Sequence, residues 1–283
     1  MKRVQNASVL AATALGIGLL VPVLAATPAT AGTNGCPPDG LFYGVTHQGA
    51  HDKAGGYRTW RNTVPAFKKA DDRCQWVESD VRFTSDMIPV MVHDKSTGPM
   101  FRKRCNLIVA DHTLAELQSA CRNPDGSTVA TFDEYLDAVT LRGTVEIKPR
   151  STSKPKLKIL ISKIYAHNDA DVVSLEFTRE WLLERIAKLD DDARPISRVW
   201  KGALVAYPDR VAAACDIALF NYKKFTPLVV SRLKAVGVVS VASVGSTDSR
   251  PNRPAAWSAL ASMGAAGAQT DYSQQMFDWQ NSR

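Results

Sequence analysis

The sequence has little of what marks several common protein classes. After residue 26 no apolar run is long enough to cross a bilayer, and no glycine-rich dinucleotide fingerprint is present. The five cysteines lack the spacing of a zinc module, and the 35 lysines and arginines form no long basic cluster. We therefore do not expect a protein with several membrane spans, a structural zinc site or a nucleic-acid partner.

The amino terminus has the features of a secretory signal peptide. A basic start precedes an apolar stretch over residues 9–26, and the small residues Ala29, Thr30 and Ala31 follow. A membrane anchor is the competing interpretation, but the many alanines and the cleavage triplet favour removal. We predict a protein secreted after cleavage near Ala31, without a stable membrane anchor.

The charge of the chain is mildly basic. The formal charge is +7, and removal of residues 1–31, which hold two basic residues and no acidic one, leaves +5. Such a balance favours the approach of an anionic substrate.

The cysteines all follow the predicted cleavage site, in a compartment where disulfides persist. We predict a disulfide between Cys105 and Cys121 and, as a second pair, one between Cys36 and Cys74. Since five is odd, at least one thiol is left over, and Cys215 is predicted to be a buried core residue.

Short apolar runs alternate with helix-like segments along the rest of the chain, which is typical of a parallel sheet. Eight such units without a nucleotide fingerprint favour an α/β fold of the TIM type, a closed (β/α)8 barrel forming one domain over 41–283 behind a short linker at 32–40. The long connection at 93–130 is predicted to form an active-site wall. The predicted strands are 41–46, 76–81, 143–147, 171–175, 202–206, 216–220, 238–243 and 266–270. The clearest predicted helices are 63–70, 113–121, 131–139, 155–166, 178–188 and 226–235, with a capping box at Thr113–Glu116.

Three carboxylates are expected to meet at the end of these strands. Glu78 and Asp80 are two residues apart, so both point to the same side of a strand, and Glu146 ends another strand. Because converging carboxylates repel one another, a hard divalent cation such as Mg²⁺ or Ca²⁺ is the usual solution. The alternative is a set of unrelated surface acids.

Two histidines lie where an apolar run ends and a polar loop begins. His47 and His93 are predicted to act as general acid and base, since imidazole titrates near neutral pH. Lys148 should face the same pocket and either bind phosphate or pair with an acid. The other three histidines, His51, His112 and His167, are expected to be solvated bystanders.

These residues, in this order, resemble the glycerophosphodiester phosphodiesterase family. The family pattern is His-Arg-Gly, Glu-Asn-Thr with a following Ala-Phe, Glu-x-Asp, Pro-Val-x-x-His-Asp and Glu-x-Lys. The matching segments here are His47-Gln48-Gly49, Arg61-Asn62-Thr63 with Ala66-Phe67, Glu78-Ser79-Asp80, Pro89 to Asp94, Glu146-Ile147-Lys148 and, near the end, Gly267 to Asp271.

The resemblance covers about residues 43–273 and implies a TIM-type barrel. It further implies a metal held by Glu78, Asp80 and Glu146, acid–base catalysis by His47 and His93, and release of sn-glycerol 3-phosphate from a small glycerophosphodiester. Two positions depart from the pattern: Gln48 replaces an arginine and Arg61 replaces a glutamate. Both are candidate phosphate-binding residues together with Lys148, although Arg61 is equally compatible with a surface role.

Two other functions fit the same residues. A phospholipase D-like enzyme acting on sphingomyelin or lysophospholipid would need an apolar rim for transient lipid contact, with Phe101, Met100, Trp60 and Tyr57 as candidates. A non-catalytic secreted phosphate- or phospholipid-binding barrel would keep the acids without turnover.

Overall fold

The computed structural model describes residues 42–51, 59–102, 104–190, 195–203, 205–243 and 253–283, all within one compact unit. The predicted signal peptide and linker lie outside the described residues, and so do Cys36 and Tyr57. None of the helices in the described ranges combines the length and the apolar character that a membrane span requires.

In the described part of the chain, eight parallel strands close into a barrel, which confirms the predicted TIM-type fold. They are β1 Tyr43–Thr46, β2 Trp76–Phe83, β4 Gly143–Ile147, β5 Val173–Phe177, β6 Arg198–Lys201, β7 Ile217–Asn221, β8 Val239–Ser243 and β9 Gly267–Thr270. Each pairs with its neighbours, and β1 pairs with both β9 and β2. A ninth strand, β3 Pro89–Met91, lies antiparallel to β2 outside the barrel.

The helices surround the barrel, and the six that were predicted are present. They are α1 Val64–Asp71, α2 Leu114–Ala120, α3 Phe132–Ala138, α4 Lys154–Ala166, α5 Glu180–Ala187, α6 Pro208–Ala214, α7 Pro227–Ala235, α8 Pro254–Ser262 and α9 Ser273–Asn281. The predicted capping box forms, because the Thr113 hydroxyl accepts from the Glu116 amide while the Glu116 carboxylate accepts from the Thr113 amide.

The predicted strand at 202–206 is wrong. The strand lies at Arg198–Lys201 and is followed by Gly202, whose φ of 77° is the left-handed conformation that glycine adopts readily. The apolar composition of 202–206 was therefore misleading, whereas Val199 and Trp200 are the residue types that strands favour.

The inner face of the barrel is apolar at one end and charged at the other. Trp76 begins β2 and points to the same side as Glu78 and Asp80, because alternate residues of a strand share a face. Trp76 packs with Val45, Val199, Ile217, Leu219 and Val241 in a cluster of its own. This apolar cluster occupies one end of the barrel, and the polar side chains lie at the other end, where the strands reach their carboxyl ends.

The connection after β3 has a small core of its own, separate from the main one. It includes the predicted Cys105–Cys121 disulfide, which is present. Met100 and Phe101 are only 4% and 0% exposed in this core, so neither belongs to an apolar rim. These two residues are therefore not available for the lipid contact that a phospholipase D-like enzyme would need.

Candidate metal and catalytic site

The acidic residues form a row across three neighbouring strands. Asp80 of β2 lies opposite Glu146 of β4, which lies opposite Glu176 of β5. Glu78 precedes Asp80 by two positions and faces the same interior. All four side chains are buried. The three predicted carboxylates therefore lie close together, and Glu176 is a fourth that was not predicted.

Glu78 is fixed by backbone contacts from the loop after β1. Its Oε2 accepts a hydrogen bond from the Gln48 amide at 2.8 Å, and its carbonyl accepts from the Gly49 amide. Gln48 has a φ of 61°, a left-handed conformation that turns this amide toward the carboxylate. Glu78 Oε1 has neither a hydrogen bond nor an ion pair among the described residues. Burial, and then the charge of Asp80, raises the pKa of Glu78 to about 8.

Asp80 and Glu146 share the ammonium group of Lys148. Lys148 Nζ lies 2.8 Å from Asp80 Oδ1 and 2.9 Å from Glu146 Oε1. Asn62 donates to Asp80 Oδ2 at 3.1 Å. Burial alone would raise the pKa of both carboxyls, but nearby lysine ammonium groups, Lys148 beside Asp80 and Lys201 then Lys148 beside Glu146, hold both below their usual values. Of the two roles expected for Lys148, pairing with an acid is therefore present.

His47 is oriented by a carboxylate from the other end of the chain. Thr46 pairs with Thr270, so the next residues, His47 and Asp271, meet across β1 and β9. His47 Nδ1 lies 2.8 Å from Asp271 Oδ1. Although burial lowers the pKa of His47, the bond to Asp271 and the charges of Glu78 and Asp80 raise it above its ordinary value. This contact leaves Nε2 as the ring nitrogen available for proton transfer.

His93 lies on the connection outside the barrel. It approaches the carboxyl end of the barrel, called the mouth below, where the buried carboxylates and His47 lie. The Val92 amide donates to the Asp80 carbonyl, and the guanidinium of Arg82 donates twice to the His93 carbonyl, at 3.0 and 2.8 Å. Its side chain is 40% exposed and lies 3.3 Å from Asp94, which is equally exposed. His93 is close enough to the Asp80 carboxyl to help lower the pKa of that carboxyl.

The expectation that His51 is solvated is wrong. Its side chain is largely buried, Nδ1 lies 3.1 Å from the Gly49 carbonyl and Nε2 lies 3.7 Å from Asp271. Burial lowers the pKa of His51, which favours the neutral ring. His112 and His167 are partly exposed and lie outside this cluster.

The two departures from the family pattern contact each other. Arg61 Nη1 lies 3.5 Å from Gln48 Oε1, and Arg61 Nη2 donates to the Pro99 carbonyl at 3.2 Å. Gln48 is buried, whereas Arg61 is partly exposed. Arg61 therefore brings a positive charge beside the position where the family has arginine.

Three residues of the mouth were missed. Glu176 fell outside the predicted strand 171–175, and Lys201 lay just before the misplaced strand 202–206. Lys201 Nζ lies 2.5 Å from Glu146 Oε2 and 2.9 Å from Glu176 Oε1. Asp271 was recognised only as part of the last matching segment. Correct strand ends would have revealed the first two, because they fix which residues share a face.

The donor set fits a hard divalent cation. Glu78, Glu146 and Glu176 each offer a carboxylate oxygen, and the three oxygens lie within 4.8 Å of one another. Carboxylates are the ligands that Mg²⁺ and Ca²⁺ prefer, and the unpartnered Glu78 Oε1 is a buried acceptor that such an ion would satisfy. The buried glutamates can therefore hold a metal.

Most of the chain matches a known protein family. Residues 47–275 match the model of the Glycerophosphoryl diester phosphodiesterase family. No curated protein is significantly similar in sequence.

Several solved structures share the fold. One from Galdieria sulphuraria is 15% identical with a TM-score of 0.72, covering 85% of this chain and 98% of its own. A glycerophosphodiester phosphodiesterase from Parabacteroides distasonis is 17% identical with a TM-score of 0.67, covering 86% and 98%. A phosphodiesterase from Oleispira antarctica, in complex with the product sn-glycerol-3-phosphate, is 20% identical with a TM-score of 0.68 and the same coverage.

Proposed function

Because the chain belongs to the glycerophosphoryl diester phosphodiesterase family, and so to the phosphoric diester hydrolases, we propose that it cleaves small glycerophosphodiesters to sn-glycerol 3-phosphate and an alcohol. The observation that carries this proposal is the convergence of two histidines and buried carboxylates at one mouth of the barrel. The product named for the Oleispira antarctica structure supports the same reaction.

The proposed metal ligands are Glu78, Asp80 and Glu146, the set that the family resemblance implies, and the metal is Mg²⁺ or Ca²⁺. Glu176, which also lies in the cluster of close carboxylate oxygens, pairs with Lys201 instead. When bound, the ion supplies positive charge that stabilises the negative charge developing on the phosphate. The neighbouring strands β2 and β4 hold two of these groups in register, so little rearrangement of the backbone is needed.

His47 and His93 transfer the protons. One imidazole takes the proton of the attacking hydroxyl, a neighbouring glycerol hydroxyl in the first step, as its oxygen bonds to phosphorus. The other imidazole gives a proton to the departing alcohol oxygen as its bond to phosphorus breaks. Water then opens the cyclic phosphate with the roles reversed. Asp271 fixes the ring of His47 for this exchange.

Lys148, Gln48 and Arg61 bind the phosphate in this proposal. Arg61 has a partly exposed guanidinium, the group best suited to grip two phosphate oxygens at once. Lys148 is held between two carboxylates, so it contributes charge from a fixed position. Gln48 contributes a neutral amide beside Arg61.

We also propose that the enzyme is secreted. The amino-terminal segment has the composition of a signal peptide, and the Cys105–Cys121 disulfide suits an oxidising compartment. The substrate is then a soluble diester outside the cell, and lipid contact at the rim depends on Trp60 alone among the described candidates.

The test is a panel of phosphodiesters with added Mg²⁺, Ca²⁺ or chelator. We expect release of sn-glycerol 3-phosphate from glycerophosphocholine or glycerophosphoethanolamine, loss of that release with chelator, and little action on vesicles of sphingomyelin or lysophosphatidylcholine. Preferential cleavage of the vesicles would favour the phospholipase alternative. Ligand binding without turnover on any diester would indicate a non-catalytic barrel.

Two variants make the panel specific to the site. Glu78→Gln removes the carboxylate with the unpartnered oxygen and should abolish metal-dependent turnover. Asp133→Asn on α3, which pairs with Lys163 at the surface, changes the same kind of charge away from the mouth and should leave turnover intact.

A further inference from the structure

Lys201 and Glu176 form an ion pair inside the barrel that the proposed reaction does not use. Glu176 is fully buried in β5, and Lys201 ends the next strand, β6. Lys201 Nζ lies between two carboxylates, 2.9 Å from Glu176 and 2.5 Å from Glu146. Burying such a charged pair is unfavourable unless each charge is matched. Its position beside the carboxylate cluster therefore indicates a function there.

The ammonium group occupies carboxylates that a metal ion would need. Both oxygens of Glu146 are taken by lysines, Oε1 by Lys148 and Oε2 by Lys201. Glu78, Glu146 and Glu176 have oxygens within 4.8 Å of one another, and Lys201 contacts two of these three residues. A cation that binds Glu146 must therefore share it with Lys201 or displace it.

We propose that Lys201 and Glu176 set the affinity of the metal centre, an inference that rests on the proposed metal-dependent function. The Lys201 ammonium competes with the divalent ion for Glu146. Glu176 shares that ammonium and so limits the competition.

The charges of the cluster agree with this role. When all four carboxyls, including Glu78, are ionised, as a bound cation favours, four carboxylates and two ammonium groups leave two negative charges, which one divalent cation balances. Loss of the lysine charge makes the cluster more negative, and loss of the Glu176 charge makes it less negative. Loss of both restores the original balance. Affinity for a hard cation follows the charge of its ligand cluster.

The experiment measures Ca²⁺ and Mg²⁺ binding by calorimetry at pH 8 on the full chain and three variants. We expect Lys201→Met to tighten binding by about tenfold and Glu176→Gln to weaken it by about tenfold. The double variant should return to within about threefold of the parent. Lys163→Met, which removes a lysine of a surface pair, is the matched control and should not change the dissociation constant.

Opposite signs followed by recovery separate tuning from a merely structural role. Weaker or unchanged binding in Lys201→Met would overturn the proposal, and so would a double variant that keeps the loss seen in Glu176→Gln, because Glu176 would then act as a ligand. Lys201→Met leaves Glu176 buried without its partner; if that variant does not fold, recovery in the double variant decides, since it lacks both charges.

Failure of this inference is distinguishable from failure of the proposed function. A parent protein that binds neither cation removes the metal centre, and this proposal with it. A parent that binds metal and cleaves glycerophosphocholine, with variants that do not shift affinity in opposite directions, overturns only the role of Lys201 and Glu176.

Discussion

The two histidines of the mouth are held in different ways. His47 follows a barrel strand and is fixed by Asp271 from the neighbouring strand, with its side chain 22% exposed. His93 follows β3, which lies outside the barrel, and its side chain is 40% exposed with an exposed carboxylate beside it. Strand register determines one ring, whereas the packing of the long connection after β3 determines the other. In the proposed mechanism the barrel thus supplies a proton-transfer group paired with a buried carboxylate, and the long connection at 93–130, called the insertion below, supplies a more exposed one.

The largest expected effect comes from removing either imidazole. His47→Ala and His93→Ala should each lower kcat on glycerophosphocholine by about a thousandfold, since acid–base groups contribute roughly 10²–10⁴. Added imidazole should rescue His93→Ala better than His47→Ala, because the His93 position is more open to solvent. Full activity in either variant would remove that histidine from the mechanism, and equal rescue would remove the contrast between the two sites.

The second prediction concerns the insertion that carries His93. Thr97, four residues after His93, contacts both members of the Cys105–Cys121 disulfide. Replacing both cysteines by alanine opens a loop of about 15 residues and should lower the free energy of unfolding by about 3 kcal/mol.

The same double variant should also lower turnover, because the connection at 93–130, which carries His93, is held less firmly. Urea unfolding followed by kinetics is the measurement, and Cys215→Ala, the buried free thiol, is the control. A variant as stable as the parent would show that the small core alone holds the insertion.

The third prediction concerns the carboxylate behind His47. Asp271→Asn keeps the size of the side chain but removes one of the charges that raise the His47 pKa, so burial, which lowers that pKa, is opposed only by Glu78 and Asp80. We expect about a tenfold loss of kcat and a shift of the limb of the pH–rate profile that belongs to His47 toward lower pH. An acidic limb that moves identifies His47 as the base, and an alkaline limb identifies it as the acid. A profile that keeps both limbs in place would contradict the role of Asp271.

The sequence predicted those parts of the site that depend on local spacing. Glu78 and Asp80 are two residues apart, so their shared face follows from strand geometry, and the resemblance supplied the order of the remaining groups. Lys201 and Glu176 were missed because their recognition depends on where a strand ends, and apolar composition misplaced β6 by several residues. The His47–Asp271 contact joins residues 224 positions apart, which only the closure of the barrel between β1 and β9 brings together.

The smallest effect is expected at Asp94, the counterpart of Asp271 beside His93. Both partners are about two-fifths exposed and 3.3 Å apart, so solvent screens their attraction. Asp94→Asn should change kcat/KM by less than threefold, and added salt should change it little further. Steady-state kinetics of Asp94→Asn and Asp271→Asn, measured side by side, give the comparison directly. A loss at Asp94 as large as that at Asp271 would mean that bound substrate closes the insertion over His93 and buries this pair, so that both histidines are held by carboxylates during the reaction.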